Sequence, residues 1–376
     1  MPVSGCRVCG KLFFAEPLLR YENMPGAAQF LPDADSMGSD KGIDLEVCQC
    51  SGCGLVQLSN DPVPYYREVI RAAGVSQEMT DFRRRQFNVF INRYSLVGKK
   101  VIEIGCGRGE YLSIMQQFDV GAFGLEQSKD AVKQCVDNGL NVSQGFIQDG
   151  KDMLNDAPFD AFYMLNYLEH LPDPNSTLRG IYDNISDNAV GLIEVPDFDT
   201  VLRNKIFFDF IPDHLVYFTR RTLDTTLALN GFEIIDCHVV WNCISATVKK
   251  RSKMDLTDFH KYQAQLNNEI TEYIGRFDHK KVAIWGASHQ ALAIISLMKL
   301  ADKIKYVVDS AMFKQGKYTP ATHVPIVSPE ALDSDPVDAV IVVATGYSDE
   351  VAGLIRKKFG AEVRVSILRD NRLEEV

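Results

Sequence analysis

Four cysteines near the start of the chain form two pairs, and each pair has two residues between its thiols. The pairs are Cys6 with Cys9 and Cys50 with Cys53, and a glycine follows each of them. Four thiolates with this spacing fill the coordination sphere of one tetrahedral zinc ion, which leaves no position for water or substrate. The pattern therefore predicts a structural zinc site, for which Cys48 is a competing ligand.

A glycine-rich turn is the second feature that carries chemistry. Residues 99–104 predict a buried strand that enters this turn, and residues 111–118 predict the helix that leaves it. The turn has glycines at alternate positions, Gly105, Gly107 and Gly109. Glu103, two residues before the first glycine, is a further candidate cofactor contact. Dinucleotide enzymes usually show G-x-G-x-x-G instead. The spacing resembles motif I of class I methyltransferases, in which glycines let the backbone approach the methionine part of S-adenosylmethionine.

The elements after this turn predict a parallel sheet. A strand over residues 121–126 ends in Glu126, about 20 residues after the loop, where an acid holds ribose hydroxyls. A helix over residues 129–138 and a strand over residues 159–165 follow, and this alternation is typical of a parallel sheet. Asn166 and His170 come directly after that last strand, so we expect them at the carboxyl edge of the sheet, where ligands bind.

The composition limits the class of protein. A chain of 376 residues is long enough for two or three domains, and 46% hydrophobic with 24% charged residues is typical of a folded globular protein. The net charge of -10, without an extended basic block, argues against nucleic acid as a partner. No apolar run approaches the length that spans a bilayer and no signal peptide is recognisable, so we expect a cytoplasmic protein with no membrane partner.

The last third of the chain predicts a second, smaller α/β domain. Residues 257–277 have the apolar spacing of a connecting helix, and residues 281–298 predict a strand, a Gly286 turn and a helix. Amides at such a helix start suit a pyrophosphate, with His289 as a possible phosphate contact and Asp309 as a possible ribose contact. Strands over residues 306–309 and 337–345 complete a parallel sheet.

These features together resemble the three-domain sugar C-methyltransferase family, whose members methylate a keto sugar carried on a nucleotide diphosphate. The resemblance rests on residues 50–58, 166–174, 305–310 and 314–320. It implies an α/β protein with a zinc-binding module over residues 1–75, a Rossmann-like class I methyltransferase domain over 76–248 and a smaller Rossmann-like, nucleotide-binding domain over 249–376. It also implies S-adenosylmethionine and structural Zn²⁺ as cofactors and a nucleotide-linked sugar in the cleft between the second and third domains.

The sequence departs from this family in the catalytic segment. Family members carry a Tyr-His-Glu-His run after a strand that ends in Glu-x-Pro, and here residues 211–214 read Ile-Pro-Asp-His, so that only His214 is kept. A second family tyrosine falls on Ile70, with Tyr65 and Tyr66 nearby. The residues of the methyl-donor site therefore match the family better than the residues of the acceptor site do.

We expect His214 to be the general base, because neutral imidazole accepts a proton at physiological pH. Asp213 is expected to orient this ring or to favour its imidazolium form, and His170 is a further catalytic candidate at the sheet edge. O-methylation needs the same base but no enolate-stabilising tyrosine. The loss of both tyrosines therefore favours oxygen or nitrogen as the acceptor atom.

Three alternatives stay open at the level of sequence. The first keeps the cofactor but methylates oxygen or nitrogen of a different small molecule. The second is an inactive, zinc-stabilised binding or scaffold protein, although the intact glycine loop and Glu126 argue against it. The third is a pyridine-nucleotide oxidoreductase.

Overall fold

The computed structural model describes residues 3–27, 29, 31–68, 75–148 and 153–376. The chain divides into two compact units, Met1–Ser252 and Lys253–Val376. The cysteine pairs and the glycine loop lie in the first unit, and the division of that unit into two domains stays a prediction. Among the helices of the described ranges, none combines the length and the apolar character needed to cross a bilayer.

The first unit begins with a small antiparallel sheet, and Cys50 and Cys53 lie in the turn between its second and third strands. Its first strands are β1 Leu19–Met24, β2 Ile43–Gln49 and β3 Val56–Leu58. The buried faces of β2 and β3 are apolar, with Leu45, Val47, Val56 and Leu58 each 6% exposed or less. One face of this sheet is therefore a hydrophobic surface that must be covered by other parts of the chain.

The rest of the first unit consists of helices and a second, larger sheet. Its helices and strands follow in the order α1 Gln77–Arg93, β4 Lys100–Ile104, α2 Glu110–Met115, β5 Gly121–Glu126, α3 Lys129–Asp137, β6 Val142–Gln144, β7 Phe159–Leu165, α4 Pro174–Asn184, β8 Ile185–Pro196, α5 Phe198–Asn204, β9 Val216–Tyr217, α6 Arg220–Leu229, β10 Phe232–Val240 and β11 Cys243–Lys250. The predicted strands over residues 121–126 and 159–165 are present with those bounds. The helix after the glycine loop is shorter than the predicted segment 111–118 and ends at Met115.

The seven strands of the large sheet are ordered β10-β11-β8-β7-β4-β5-β6. Strands β4 to β8 run parallel, and only β11 runs against its neighbours. The chain moves outward from β4 to β5 and β6 on one side and returns to β7 and β8 on the other. Because the loops after β4 and β7 leave in opposite directions at this point, a crevice opens at their carboxyl ends.

Strand β9 joins the small front sheet rather than the large one. It pairs with β3 in the order β1-β2-β3-β9, and the Leu58 N–H donates to the carbonyl of Leu215, 3.0 Å away. Phe198, Phe210 and Tyr217 cover the apolar face of the front sheet. The segment that follows Glu-x-Pro is thus held between the two sheets of the first unit.

The second unit, Lys253–Val376, consists of helices and one mostly parallel sheet. It contains α7 Thr257–Ile274, β12 Val282–Trp285, α8 His289–Leu297, β13 Val307–Val308, β14 Ile326–Val327, α9 Ala331–Ser334, β15 Ala339–Val342, α10 Ser348–Phe359, β16 Arg364–Arg369 and β17 Arg372–Glu375. The strand order is β14-β13-β12-β15-β16-β17, parallel except for the last pair. The chain adds strands on one side of β12 as far as β14 and then returns to the other side with β15, so the strand order reverses between β12 and β15, next to the Gly286 turn.

Candidate active site

The glycine loop has a backbone that only glycine adopts without strain. Gly105 and Gly109 have φ angles of 72° and 81°. A Cβ atom on Gly105 would lie 2.7 Å from the ring of Tyr167, and one on Gly109 would lie 2.3 Å from Leu140. Both values are shorter than a van der Waals contact, so the spacing of glycines reflects close packing as well as backbone conformation.

Glu126 is tied to this loop by its carboxylate. One oxygen accepts a hydrogen bond from the Gly107 N–H at 2.9 Å, and the other accepts from the Ser128 N–H at 2.8 Å. Burial raises the pKa of Glu126, and these backbone N–H groups act in the opposite direction. The acid therefore ends β5 beside the glycine turn, at the position that the sequence predicts for a ribose contact.

The side chain of Glu103 is buried beneath the glycine loop. It is 4% exposed within β4 and accepts a hydrogen bond from the Tyr163 hydroxyl at 3.0 Å. This bond joins the two central strands directly beneath the loop. A direct contact of Glu103 with the cofactor stays a prediction.

A cavity of about 690 Å³ lies at the carboxyl edge of the large sheet. Its lining includes six residues predicted as site residues: Gly105, Gly107, Asn166, His170, Asp213 and His214. A second cavity of about 440 Å³ is lined by residues 64, 65, 67 and 68 together with Gln127, which follows Glu126. Ile70, the position of the second family tyrosine, lies outside the described residues.

Asn166 has the left-handed backbone of a tight turn, with φ of 53°. Its N–H donates to the carbonyl of Glu194 at 2.8 Å, so the turn is fastened to the neighbouring strand β8. Its side-chain amide nitrogen lies 3.5 Å from Sγ of Cys243. The end of β7 is thereby fixed in the wall of the larger cavity.

His170 and His214 form a pair, with ring centroids 4.9 Å apart. His170 belongs to a short 3₁₀ turn, Leu168–His170, and His214 precedes β9. Burial lowers the pKa of His170, and burial together with the neighbouring His170 lowers the pKa of His214 to about 3. Both rings are therefore neutral at pH 7, and His214 has the protonation state of a proton acceptor.

Asp213 contacts this pair through its main chain. Its carbonyl oxygen lies 2.7 Å from Nδ1 of His170. The sequence assigned the Asp213 carboxylate to the His214 ring, and that role of the carboxylate stays a prediction.

The sequence interpretation missed Glu169, the residue before His170. It is 1% exposed and lines the cavity, and burial raises its pKa to about 8. A glutamate in a short segment of mixed polarity gives no sign in sequence that it points inward.

A buried ion pair in the cavity wall was also missed. Arg83 of α1 and Glu194 of β8 lie 2.6 Å apart, with side chains 5% and 1% exposed. Gln86 donates to the same carboxylate, and the Arg83 guanidinium lies over the ring of Tyr111 at 4.8 Å. The Glu-x-Pro motif identifies Glu194, but no local pattern identifies Arg83 as its partner.

Replacing Arg83 with methionine is expected to destabilise the first unit by about 3–5 kcal/mol, because a buried carboxylate loses its counter-ion. For a unit of this size we expect the midpoint of thermal unfolding to fall by on the order of 10 °C. The control is Arg93→Met, which breaks an exposed ion pair with Asp236 and should change stability by less than about 1 kcal/mol. Equal effects of both substitutions would contradict the buried pair.

The four paired cysteines come together in the front sheet region. Cys6 and Cys53 have sulfur atoms 3.6 Å apart, and those of Cys9 and Cys50 are 3.3 Å apart. A tetrahedral site with Zn–S bonds of about 2.3 Å has sulfur atoms about 3.8 Å apart. Cys48 is buried nearby but is not part of this cluster.

The Gly286 turn of the second unit is also restricted to glycine. Its φ is 114°, and a Cβ atom would lie 2.5 Å from the carbonyl oxygen of Val343. Asp309 accepts from the Ala287 N–H at 2.7 Å and from the Lys314 ammonium at 2.8 Å. Burial raises the pKa of Asp309, but these donors outweigh it and hold the pKa below its usual value.

Two family models match successive parts of the chain. A methyltransferase domain matches residues 75–236, and a C-methyltransferase C-terminal domain matches residues 245–363.

Two methyltransferases are among the relatives matched by sequence. C-methyltransferase NovU of Streptomyces niveus is 24% identical over 389 residues, which cover 93% of this chain and 91% of that protein. The ubiquinone biosynthesis O-methyltransferase of Pseudomonas entomophila strain L48 is 32% identical over 108 residues, which cover 27% of this chain and 46% of that protein. The crystal structure of an S-adenosylmethionine-dependent methyltransferase from Clostridium acetobutylicum aligns with 50% of this chain and 96% of that one, at 13% identity and a TM-score of 0.38.

The two family models and the nearly full-length relative indicate a methyltransferase. The glycine loop and Glu126, the acid that ends β5, indicate the same class of enzyme. The oxidoreductase and inactive-scaffold hypotheses are thereby set aside. This chain is an S-adenosylmethionine-dependent methyltransferase with a second unit that matches the C-methyltransferase C-terminal domain.

Proposed function

We propose that this enzyme methylates a carbon atom of a nucleotide-diphosphate-linked sugar, with His214 as the general base. The observation that carries the proposal is a single cavity whose wall contains both the glycine loop and the His170–His214 pair. A donor bound at the loop and an acceptor beside the histidines would share this space, as methyl transfer requires. The match to a C-methyltransferase C-terminal domain supports carbon as the acceptor atom.

The cofactor residues in this proposal are those of the loop and the strands beside it. Gly105, Gly107 and Gly109 allow the backbone to approach the methionine part, and Asn166 faces the same cavity. Glu126 is proposed to accept hydrogen bonds from the ribose hydroxyls, since its carboxylate ends β5 beside Gly107. S-adenosylmethionine supplies a methyl group on positively charged sulfur.

His214 is proposed to take the proton from the acceptor carbon beside a ketone. A proton leaves such a carbon readily because the resulting negative charge is shared with the ketone oxygen. The ring is neutral, lies in the cavity wall and contacts a second neutral imidazole, His170. His170 is held by the main-chain oxygen of Asp213, and we propose that it positions His214.

One observation favours methylation of oxygen or nitrogen as the second candidate. Ile211 lines the cavity at the position of a family tyrosine and offers no hydroxyl to stabilise an enolate. Mass spectrometry of the product after acid cleavage of ethers distinguishes oxygen from carbon as the acceptor atom, because a methyl group on oxygen is lost and one on carbon is retained.

The second unit is proposed to bind the nucleotide diphosphate. The Gly286 turn precedes α8, and backbone N–H groups at a helix start suit a pyrophosphate, with His289 beside them. A cavity of about 640 Å³ in the same unit is lined by Trp285, Ser310 and Tyr347 among others, and its aromatic side chains suit a base.

Calorimetric titration tests both halves of the proposal. We expect saturable binding of S-adenosylhomocysteine, followed by saturable binding of one nucleoside diphosphate from a panel. Binding of the product alone would keep the methyltransferase but remove the nucleotide-linked acceptor. Transfer of labelled methyl to keto and hydroxy sugars of that nucleotide would then identify the acceptor class.

We also propose that the four-cysteine cluster binds structural Zn²⁺. Its sulfur separations are close to those of a tetrahedral site, and its thiolates accept N–H donors such as Gly52 to Cys50 at 3.2 Å and Gln57 to Cys6 at 3.3 Å. The front sheet lies next to this cluster, and its strand β3 pairs with β9, which follows His214 in the chain.

Replacing Cys53 with serine is expected to reduce bound zinc well below one equivalent and to lower the thermal midpoint by at least about 5 °C, because zinc binding stabilises the folded module. Metal content by plasma mass spectrometry and differential scanning fluorimetry provide the measurement. Cys48→Ser is the matched control, since it removes a thiol outside the cluster and should keep one zinc per chain. Full zinc retention by Cys53→Ser would contradict the site.

A further inference from the structure

Glu169, His170 and His214 bring three metal-ligating groups together in the cavity wall. A carboxylate oxygen of Glu169 and one ring nitrogen of each histidine all lie within 4.8 Å of one another. Two imidazoles and one carboxylate form a ligand set that divalent transition metals favour. The residues come from the turn after β7 and from the segment before β9, so the fold assembles this set from two distant parts of the chain.

The carboxylate of Glu169 lacks the partners that a buried acid normally has. The residue is 1% exposed, and within the described part of the chain neither of its oxygens has a hydrogen-bond partner. Leaving a buried polar group unpaired costs about 1–3 kcal/mol, and more when the group is charged. A bound cation would satisfy both oxygens.

The ring of His170 is held in the orientation of a metal ligand. Its Nδ1 lies 2.7 Å from the carbonyl oxygen of Asp213. A carbonyl only accepts, so Nδ1 must carry the proton and Nε2 must carry the lone pair. Nε2 lies 3.9 Å from Oε1 of Glu169. Histidine ligands of metals commonly donate their other ring N–H to a carbonyl in this way.

We propose that Glu169, His170 and His214 bind a divalent transition-metal ion with its remaining coordination positions open to the cavity. Three protein ligands leave room for water or for oxygen atoms of a bound molecule, unlike the closed four-cysteine cluster. The ion would lie within the active-site cavity, on the wall that also contains the glycine loop.

Occupancy of this site has a consequence for catalysis that rests on the proposed function. A ring nitrogen of His214 that binds the ion has no lone pair left to accept a proton. The ion and the acceptor proton therefore compete for the same imidazole, and methyl transfer should fall as the site fills.

Cobalt titration of the protein with its cysteine cluster already filled by zinc tests the site. We expect one further equivalent of Co²⁺ with visible bands of nitrogen and oxygen ligation and without thiolate charge-transfer absorption. Glu169→Gln, which keeps the shape of the side chain, and His214→Ala, on the other segment, should each weaken Co²⁺ binding at least tenfold. The control is His279→Gln, which removes an exposed histidine of the second unit and should bind Co²⁺ like the wild type.

The outcomes separate this site from the proposed function. Absence of a further equivalent, or equal Co²⁺ affinity in wild type and Glu169→Gln, would overturn the cation site. A fall in methyl transfer that follows occupancy supports both the site and the base. A rise in methyl transfer with occupancy would confirm the cation site and overturn the assignment of His214 as the base.

Discussion

Replacing Glu126 with alanine is expected to weaken the binding of S-adenosylhomocysteine at least 100-fold. The substitution removes the acceptor for the ribose hydroxyls, and each hydrogen bond to a charged group contributes about 1.5 kcal/mol or more. Two such bonds amount to about 3 kcal/mol, and every 1.4 kcal/mol is about tenfold in affinity. The Gly107 and Ser128 N–H groups also lose their acceptor, which loosens the loop itself. Calorimetry measures the affinity directly.

The control for this experiment is Asp130→Asn. It removes one negative charge from an exposed position in the first turn of α3, four residues beyond Glu126. We expect its affinity for S-adenosylhomocysteine to stay within about twofold of the wild type, since exposed charges act weakly through solvent. Wild-type affinity in a folded Glu126→Ala protein would show that the ribose is bound elsewhere.

The donor side of the active site could be predicted from sequence because its determinants are local. A strand, a glycine turn and a helix follow one another directly, and Glu126 ends the next strand. The strand bounds of β5 and β7 were correct because both segments are short apolar runs with clear turn signals at their ends. Parallel pairing then brings their carboxyl ends together, as the alternation of elements predicts.

The acceptor side depends on pairings between distant residues, which no local pattern reveals. Arg83 meets Glu194 across 111 positions of sequence, and β9 pairs with β3 of the front sheet. The Leu215 N–H donates to the carbonyl of Glu169, which fastens the turn after β7 to the segment before β9. Sequence reasoning identified His214 through family resemblance, and its neighbours emerge only from the fold.

The contact between β3 and β9 links the front sheet to the segment that contains His214. Cys50 and Cys53 lie in the turn between β2 and β3. Strand β3 pairs in turn with β9, Val56 with Tyr217 and Gln57 with Val216. His214 lies two residues before this paired segment. We therefore expect that loss of zinc displaces His214 and lowers turnover before it affects binding at the glycine loop.

Replacing His214 with alanine is expected to lower kcat by about 10²–10⁴-fold, the usual contribution of a general base. The affinity for S-adenosylhomocysteine should stay within about threefold, because the loop and Glu126 are untouched. The measurement is transfer of labelled methyl to the sugar nucleotide identified by calorimetry, after gel filtration has removed loosely held cations. His238→Ala, an exposed histidine on β10 of the same unit, is the matched control and should retain full turnover.

Added imidazole separates the loss of a base from a structural defect. If His214 accepts the proton, free imidazole should restore part of the turnover of His214→Ala in proportion to the concentration of its neutral form. A structural defect would not respond to imidazole. Undiminished turnover in His214→Ala would refute the assignment and direct attention to His170, whose ring lies 4.9 Å away in the same cavity.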